Sequence, residues 1–250
     1  MILKESIKKL AIQYQTTDFP NIIREYFQHL FLSEMYKLPE TDILLFKGGT
    51  ALRLIYGSPR FSEDLDFSLF RVEDYRKKTY VENVFTGVLA AIEKIGIKVD
   101  FSKKSGVTTE GYFGDASFRL YDYPPVGVTI NISSRKGKTL SGEVDIIAND
   151  FIPTYNLLHL SQEKLVNEKI FGALLERKKV RDFYDLYFLL RKGMVNTTQK
   201  KRLAAVKEMI IADAKKVNFR SELAVFLPSN QQTIISDFPR ALEDELKRQL

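Results

Sequence analysis

The sequence predicts an α+β fold in front and an all-helical part behind, on three observations. Between residues 43 and 148, short runs alternate apolar with polar residues, the period-2 mark of strands. Helical stripes surround those runs, and from Ser161 onward the periodicity is helical almost throughout. Gly48-Gly49 and Gly57-Ser58-Pro59 punctuate the front part as turns and breaks. The expected division is 1–158 and 159–250, with a soft boundary over 154–160.

In order, Leu3, Ile7, Leu10, Ala11 and Tyr14 recur at helical spacing and predict an amphipathic opening helix. Asp18-Phe19-Pro20 reads as the start of a second helix, because Pro is favoured at the first position. Its apolar face is Ile22, Ile23, Tyr26, Phe27, Leu30 and Phe31, and Leu38-Pro39-Glu40-Thr41 ends it. A short buried strand follows at 43–46, then a helix at 50–56. Leu65, Phe67 and Leu69 alternate with Asp64, Asp66 and Ser68, which predicts a strand with one polar face. A stripe from Val81 to Ile95 predicts a long helix closed by Gly96. Further strands are expected near 97–101, 112–120, 126–133 and 143–148, and Ser161 is placed to begin the helical part.

Composition excludes several chemistries. The 250 residues contain no Cys, so disulfides, thiol nucleophiles and Cys-ligated zinc or iron–sulfur sites are ruled out. Two His, His29 and His159, are too few and too far apart for a His-rich metal cage. A metal here would take oxygen ligands, which points to magnesium or manganese. The net charge of +6 favours polyanionic partners. The first ten residues mix charges into the apolar pattern, unlike a signal peptide, and no apolar run approaches the ~20 residues that span a bilayer. The expectation is a cytoplasmic protein without membrane contact.

The informative stretch is Phe46-Lys-Gly-Gly-Thr50-Ala-Leu-Arg-Leu-Ile-Tyr-Gly-Ser-Pro-Arg60-Phe-Ser-Glu-Asp64-Leu-Asp66-Phe. Gly48 and Gly49, between a strand and a helix, let backbone N–H groups approach a phosphate, and the Thr50 hydroxyl is a further donor. Asp64 and Asp66, two apart on a strand, project from one face and repel unless a cation or proton lies between them. Together these parts suit a metal-bound nucleoside triphosphate.

The spacing from Thr50 to Asp64 and Asp66 resembles the signature of the polymerase-β-like nucleotidyltransferase superfamily. The stretch Lys-Gly-Gly-Thr-Ala-Leu-Arg-Leu, then Tyr-Gly, then Arg-Phe-Ser-Glu-Asp-Leu-Asp-Phe is more specifically similar to the AbiEii-type toxins of abortive-infection and type IV toxin–antitoxin systems. A second block, Glu168-Lys169-Ile-Phe-Gly-Ala173-Leu-Leu-Glu-Arg177 followed by Arg181-Asp182-Phe-Tyr-Asp185-Leu186, resembles the later motifs of the same toxins. On an α-helix Lys169, Ala173 and Arg177 would share a face, as would Asp182 and Asp185.

The resemblance implies a nucleotidyltransferase domain with a small mixed sheet flanked by helices, followed by a helical domain that contributes site residues. It implies magnesium or manganese on Asp64 and Asp66, and phosphates positioned by Gly48, Gly49 and Thr50. Lys169 would neutralise developing charge, and Asp182 would orient Lys169 or the acceptor. Arg60, Arg177, Arg181 and Asp185 would bind substrate or brace the site. The implied partners are an NTP, an RNA acceptor, foremost the tRNA 3′ end, and a cognate antitoxin. The basic residues Lys200, Lys201, Arg202, Lys207, Lys215, Lys216 and Arg220 suit a phosphate backbone. One departure stands out. The strand that would carry a third carboxylate, Val128-Thr-Ile-Asn131-Ile-Ser-Ser-Arg135, has Asn131 there, with Asp145 as an alternative donor from the next strand. That leaves open a catalytically weak or inactive NTP- and RNA-binding module, or an enzyme that nucleotidylates protein.

Overall fold

A single mixed sheet organises the front of the chain. The computed structural model describes residues 1–16, 19–102, 106–108, 111–134 and 140–250; Asp18 and Arg135, used in the sequence reading, lie outside these. The chain divides into two compact units, one of Met1–Gly57 with Phe61–Leu160, the other of Ser58–Arg60 with Ser161–Leu250.

The first unit runs α1 (Lys4–Gln13), α2 (Phe19–Met35), β1 (Leu44–Lys47), α3 (Gly48–Leu54), β2 (Asp64–Leu69), α4 (Lys77–Lys94), β3 (Lys98–Phe101), β4 (Gly106–Thr108), β5 (Gly111–Arg119), β6 (Val126–Ser134), β7 (Gly142–Ile147) and β8 (Tyr155–Leu160). Strand order is β3-β5-β6-β2-β1-β8-β7, with β4 added on β5. β2 runs parallel to β6 and β1 parallel to β8, while the other pairs are antiparallel. Alternation gives the sheet two different faces. Phe46, Phe67, Ile130 and Phe118 point to one face, where Phe27 of α2 stacks on Phe118 at 4.5 Å and Phe85 of α4 meets Tyr112 edge-on. Lys47, Asp66 and Asn131 form a row on the other face.

Strand β8 corrects the sequence reading. The segment 154–160, read as a boundary, is a strand paired to both β1 and β7, and the division at 158/159 falls inside it. Tyr155, Leu157, His159 and Leu160 are all buried, so apolar residues lie on both faces and no clean alternation marks the strand.

α3 is fastened to α2 by a buried ion pair, Arg53 Nε to Glu25 Oε2, with the guanidinium 3.7 Å from the centre of the Phe61 ring. Both histidines are buried in this unit. His29 contacts the Tyr155 hydroxyl at 2.9 Å, and burial, helped by Arg53, pushes its pKa down to about 3, so it stays neutral.

In the second unit, α5 (Gln162–Asn167) passes into a π-helix (Glu168–Leu174) and α6 (Leu175–Arg177). There follow α7 (Val180–Arg191), α8 (Thr197–Ala204), α9 (Lys207–Ala214), α10 (Phe219–Leu223) and α11 (Phe238–Gln249). Phe183, Phe219, Phe238 and Tyr184 form its aromatic core, with Phe219 and Phe238 4.6 Å apart. No helix among the described residues is long and apolar enough to cross a membrane.

Removing one partner of the Glu25–Arg53 pair leaves a buried charge uncompensated, which costs about 3–5 kcal/mol. Arg53→Met should therefore lower the urea unfolding free energy by that order, and Glu25→Leu/Arg53→Met should recover most of it.

Candidate active site

The carboxylates of β2 sit where the sequence places them, on the sheet face opposite α2 and α4. Asp64 and Asp66 are both half-buried. Asp66 is held from both sides. On one side it faces Lys47 of β1, and on the other Asn131 of β6 in the same row. The Asn131 side-chain amide donates to Asp66 Oδ1 at 3.1 Å. Lys47 extends across β2 and donates to Ser133 Oγ on β6 at 2.8 Å, while Ser133 donates to the Phe67 carbonyl.

Gly48 explains why a glycine begins the turn. Its φ of +89° favours glycine, and a Cβ built there would come within 2.1 Å of Asp66 Oδ2. The missing side chain is the space that the carboxylate occupies. Gly49 and Thr50 follow in the first turn of α3 and are buried. Thr50 differs from expectation, because its hydroxyl donates to the Asp64 carbonyl and it has no exposure. It fastens α3 to β2 rather than presenting a donor to phosphate.

Asp145 is not brought to these carboxylates. β7 lies three strands from β2, about 14 Å at ~4.8 Å per strand. The register also carries Asp145 to the opposite face, because Asp145 opposes Leu157, which shares a face with His159, the partner of Phe46. Asp145 Oδ2 instead lies 3.0 Å from His159 Nε2. The expectation of a donor from a neighbouring strand fails because β7 is at the sheet edge. Among the described residues, no three His, Asp or Glu side chains cluster to hold a metal.

The second unit gathers another set. Asp185, 1% exposed, accepts from Arg60 Nε at 3.0 Å and Nη2 at 2.9 Å through Oδ1. Its Oδ2 accepts from Lys169 Nζ at 2.7 Å. Burial opposes the charge, but the Arg60 guanidinium and then the Lys169 ammonium hold this carboxyl below its ordinary value of 3.8. Lys169 is thus oriented by Asp185, not by Asp182. Asp182 is occupied differently, accepting from Arg177 at 2.7 Å and from the Lys179 backbone N–H at the start of α7. Lys169 and Arg177 are held by different carboxylates, Lys169 by Asp185 and Arg177 by Asp182, and residues 168–174 between them are π-helical rather than α-helical. Arg181 lies over the Phe226 ring at 5.1 Å.

Lys47 lies within the motif, and its role is visible only in the structure. The signal was one cation ending an otherwise apolar strand, Leu44-Leu-Phe-Lys47.

A polar sheet face with paired carboxylates against a Gly-Gly turn, on this mixed sheet, defines a nucleotidyltransferase. The chain belongs to the nucleotidyl transferase AbiEii toxin family of type IV toxin–antitoxin systems, whose description matches residues 30–250. It is thereby an enzyme of nucleotidyl transfer whose counterpart is an antitoxin and whose substrate is an NTP. Among solved structures, it is similar to a candidate nucleotidyltransferase from H. pylori at 20% identity and TM-score 0.59, covering 91% of this chain and 96% of that one. JHP933 from Helicobacter pylori is similar at 22% identity and TM-score 0.59, covering 92% and 94%. These likenesses are of fold. No curated protein matches the sequence.

Gly48→Ala should displace Asp66 by about an ångström and lower nucleotidyl transfer by about 10²-fold, with the circular dichroism spectrum unchanged. Asp185 predicts a pH dependence. A depressed carboxyl contributes stability fully above the unfolded value and loses it as pH falls through the folded one. Urea unfolding should therefore be flat above about pH 5 and weaken below about pH 4. Asp185→Asn should remove that acid-dependent component.

Proposed function

We propose that this protein transfers a nucleoside monophosphate from an NTP to a hydroxyl of an RNA acceptor, foremost the tRNA 3′ end, and so blocks translation. The hydroxyl oxygen bonds to the α-phosphorus, the bridging bond to the β-phosphate breaks, and pyrophosphate leaves. The observation that carries the reading is the seating of Asp66 beside Asp64 on one sheet face, against a glycine turn whose missing side chain leaves room for the carboxylate.

The donor set fits a hard divalent cation. Two carboxylates are the usual protein share of a Mg²⁺ or Mn²⁺ site completed by substrate phosphates and water. Such an ion, held by Asp64 and Asp66, would supply charge stabilisation to the reacting phosphate. The rest belongs to the chain itself. Gly48 and Gly49 allow close approach of the phosphates; the resemblance to the AbiEii toxins gives Lys169, which Asp185 and Arg60 hold in place, the part of neutralising developing charge. Asp182, tied to Arg177 and its own helix start, shapes the same helix. Arg177, which is half exposed beside Asp182, and Arg181 are the cations the resemblance assigns to anionic substrate.

RNA is favoured by the basic segment of the helical unit. Lys215 and Lys216 pair there with Glu243 and Asp213 at the surface. Such exposed pairs are worth little and can be exchanged for phosphates. A cytoplasmic location follows from this acceptor. Asn131 in place of a carboxylate favours, as a second reading, a weak or inactive NTP- and RNA-binding module.

Purified protein with Mg²⁺, each α-labelled NTP in turn, and total tRNA or total protein separates these. Label should enter RNA and be lost in Asp64→Ala and Asp66→Ala. Lys169→Met should lower kcat by about 10²–10³-fold. Label in protein alone rejects the RNA acceptor, and NTP binding without transfer establishes the module.

A further inference from the structure

Lys47 is the one strand cation in the carboxylate row, and its placement bears on how many metal ions the face can take. It stands directly across from Asp66, and paired residues have Cβ atoms about 4.5–5.5 Å apart on the same face. It is 9% exposed. Its side chain does not run to solvent but crosses β2 to Ser133, the residue after Asn131 on the same face of β6. The ammonium therefore lies over β2 on the β6 side of the row. On that side Asn131 directs its amide N–H₂, not a carboxylate, at Asp66 Oδ1.

A two-ion site needs negative ligands on both flanks of the shared carboxylate. Here Asp64 lies two residues along β2 on the same face, while across the strands one flank of Asp66 offers Lys47 and the other an amide donor already spent on Asp66. The formal charge of Asp64, Asp66 and Lys47 is −1, where a third carboxylate in place of Asn131 and a neutral residue at 47 would give −3. Asp145, the remaining acidic candidate, is on the other face of the sheet.

We propose that Lys47 serves as the built-in cation of the face, standing on the ground of a second metal ion, so that this protein holds a single divalent ion together with its nucleotide. The proposal rests on the carboxylate face being the NTP site. The Lys47 ammonium is held to Ser133, whose own hydroxyl is committed to the Phe67 carbonyl, so the charge is fixed in place before any substrate arrives. Asn131 acts as a positioning residue for Asp66.

The test counts Mn²⁺ by electron paramagnetic resonance titration of the purified protein with the α,β-methylene analogues of ATP, CTP, GTP and UTP. The wild type should bind one Mn²⁺ per chain in the presence of an analogue, and Asp66→Asn should bind none. Lys47→Met/Asn131→Asp, which removes the cation and restores a carboxylate, should bind two. Two Mn²⁺ in the wild type, or a single one persisting in the folded double variant, overturns the role of Lys47 while leaving the nucleotide site intact. No nucleotide-dependent Mn²⁺ with any analogue overturns the nucleotide site and the proposal together. Where the double variant does not fold, the wild-type count decides.

Discussion

The fit of a carboxylate into the space that Gly48 leaves is the constraint on which the front of the molecule depends. Asp66 can face the turn only because no Cβ stands there, and the turn can adopt φ of +89° only because the residue is glycine. The neighbouring contacts then have little freedom. Thr50 must bond the Asp64 carbonyl to hold α3 against β2, Asn131 must bond Asp66, and Lys47 must cross the strand to Ser133. Arg53 and Glu25 hold the far end of the short helix from the other side. A seven-residue helix has little stability of its own, so its position comes from these attachments.

The second unit solves a different electrostatic problem. It buries a carboxylate, Asp185, and satisfies it with a forked guanidinium and an ammonium at once. Such a group is costly to bury alone and well suited to fix two cations in place. Lys169 is carried on a π-helical turn, from which it reaches Asp185 on the helix that follows. Asp182, three residues before Asp185, spends both oxygens on Arg177 and the start of its own helix. Two aspartates that a helical wheel would treat as equivalent thus hold different cations.

Much of this was legible in the residues and some was not, for physical reasons. The strand carrying Asp64 and Asp66 was legible because one face is apolar and the other polar. β8 was hidden because it is buried on both faces, and periodicity carries no information where both sides are apolar. The edge position of β7 was hidden because strand order is not written in local pattern, and so Asp145 looked nearer than it is. Pairings distant in sequence, such as Lys47 with Ser133, or Arg60 with Asp185, depend on register and tertiary packing. The departure from a regular α-helix at 168–174 likewise has no short-range signature.

Ser58–Arg60 belongs to the unit otherwise built from residues 161 onward, and Arg60 meets Asp185 across 125 positions of sequence. During synthesis at about 5–20 residues per second, Arg60 waits roughly 6–25 seconds for its carboxylate to be made. Throughout that interval the helical unit has no complete charge set, and a chain cut short before α7 never acquires one. Nor can the helical unit be produced whole from its continuous segment alone, since that segment would lack the guanidinium that neutralises Asp185. A permuted or split version of this protein would have to carry these three residues with the later segment.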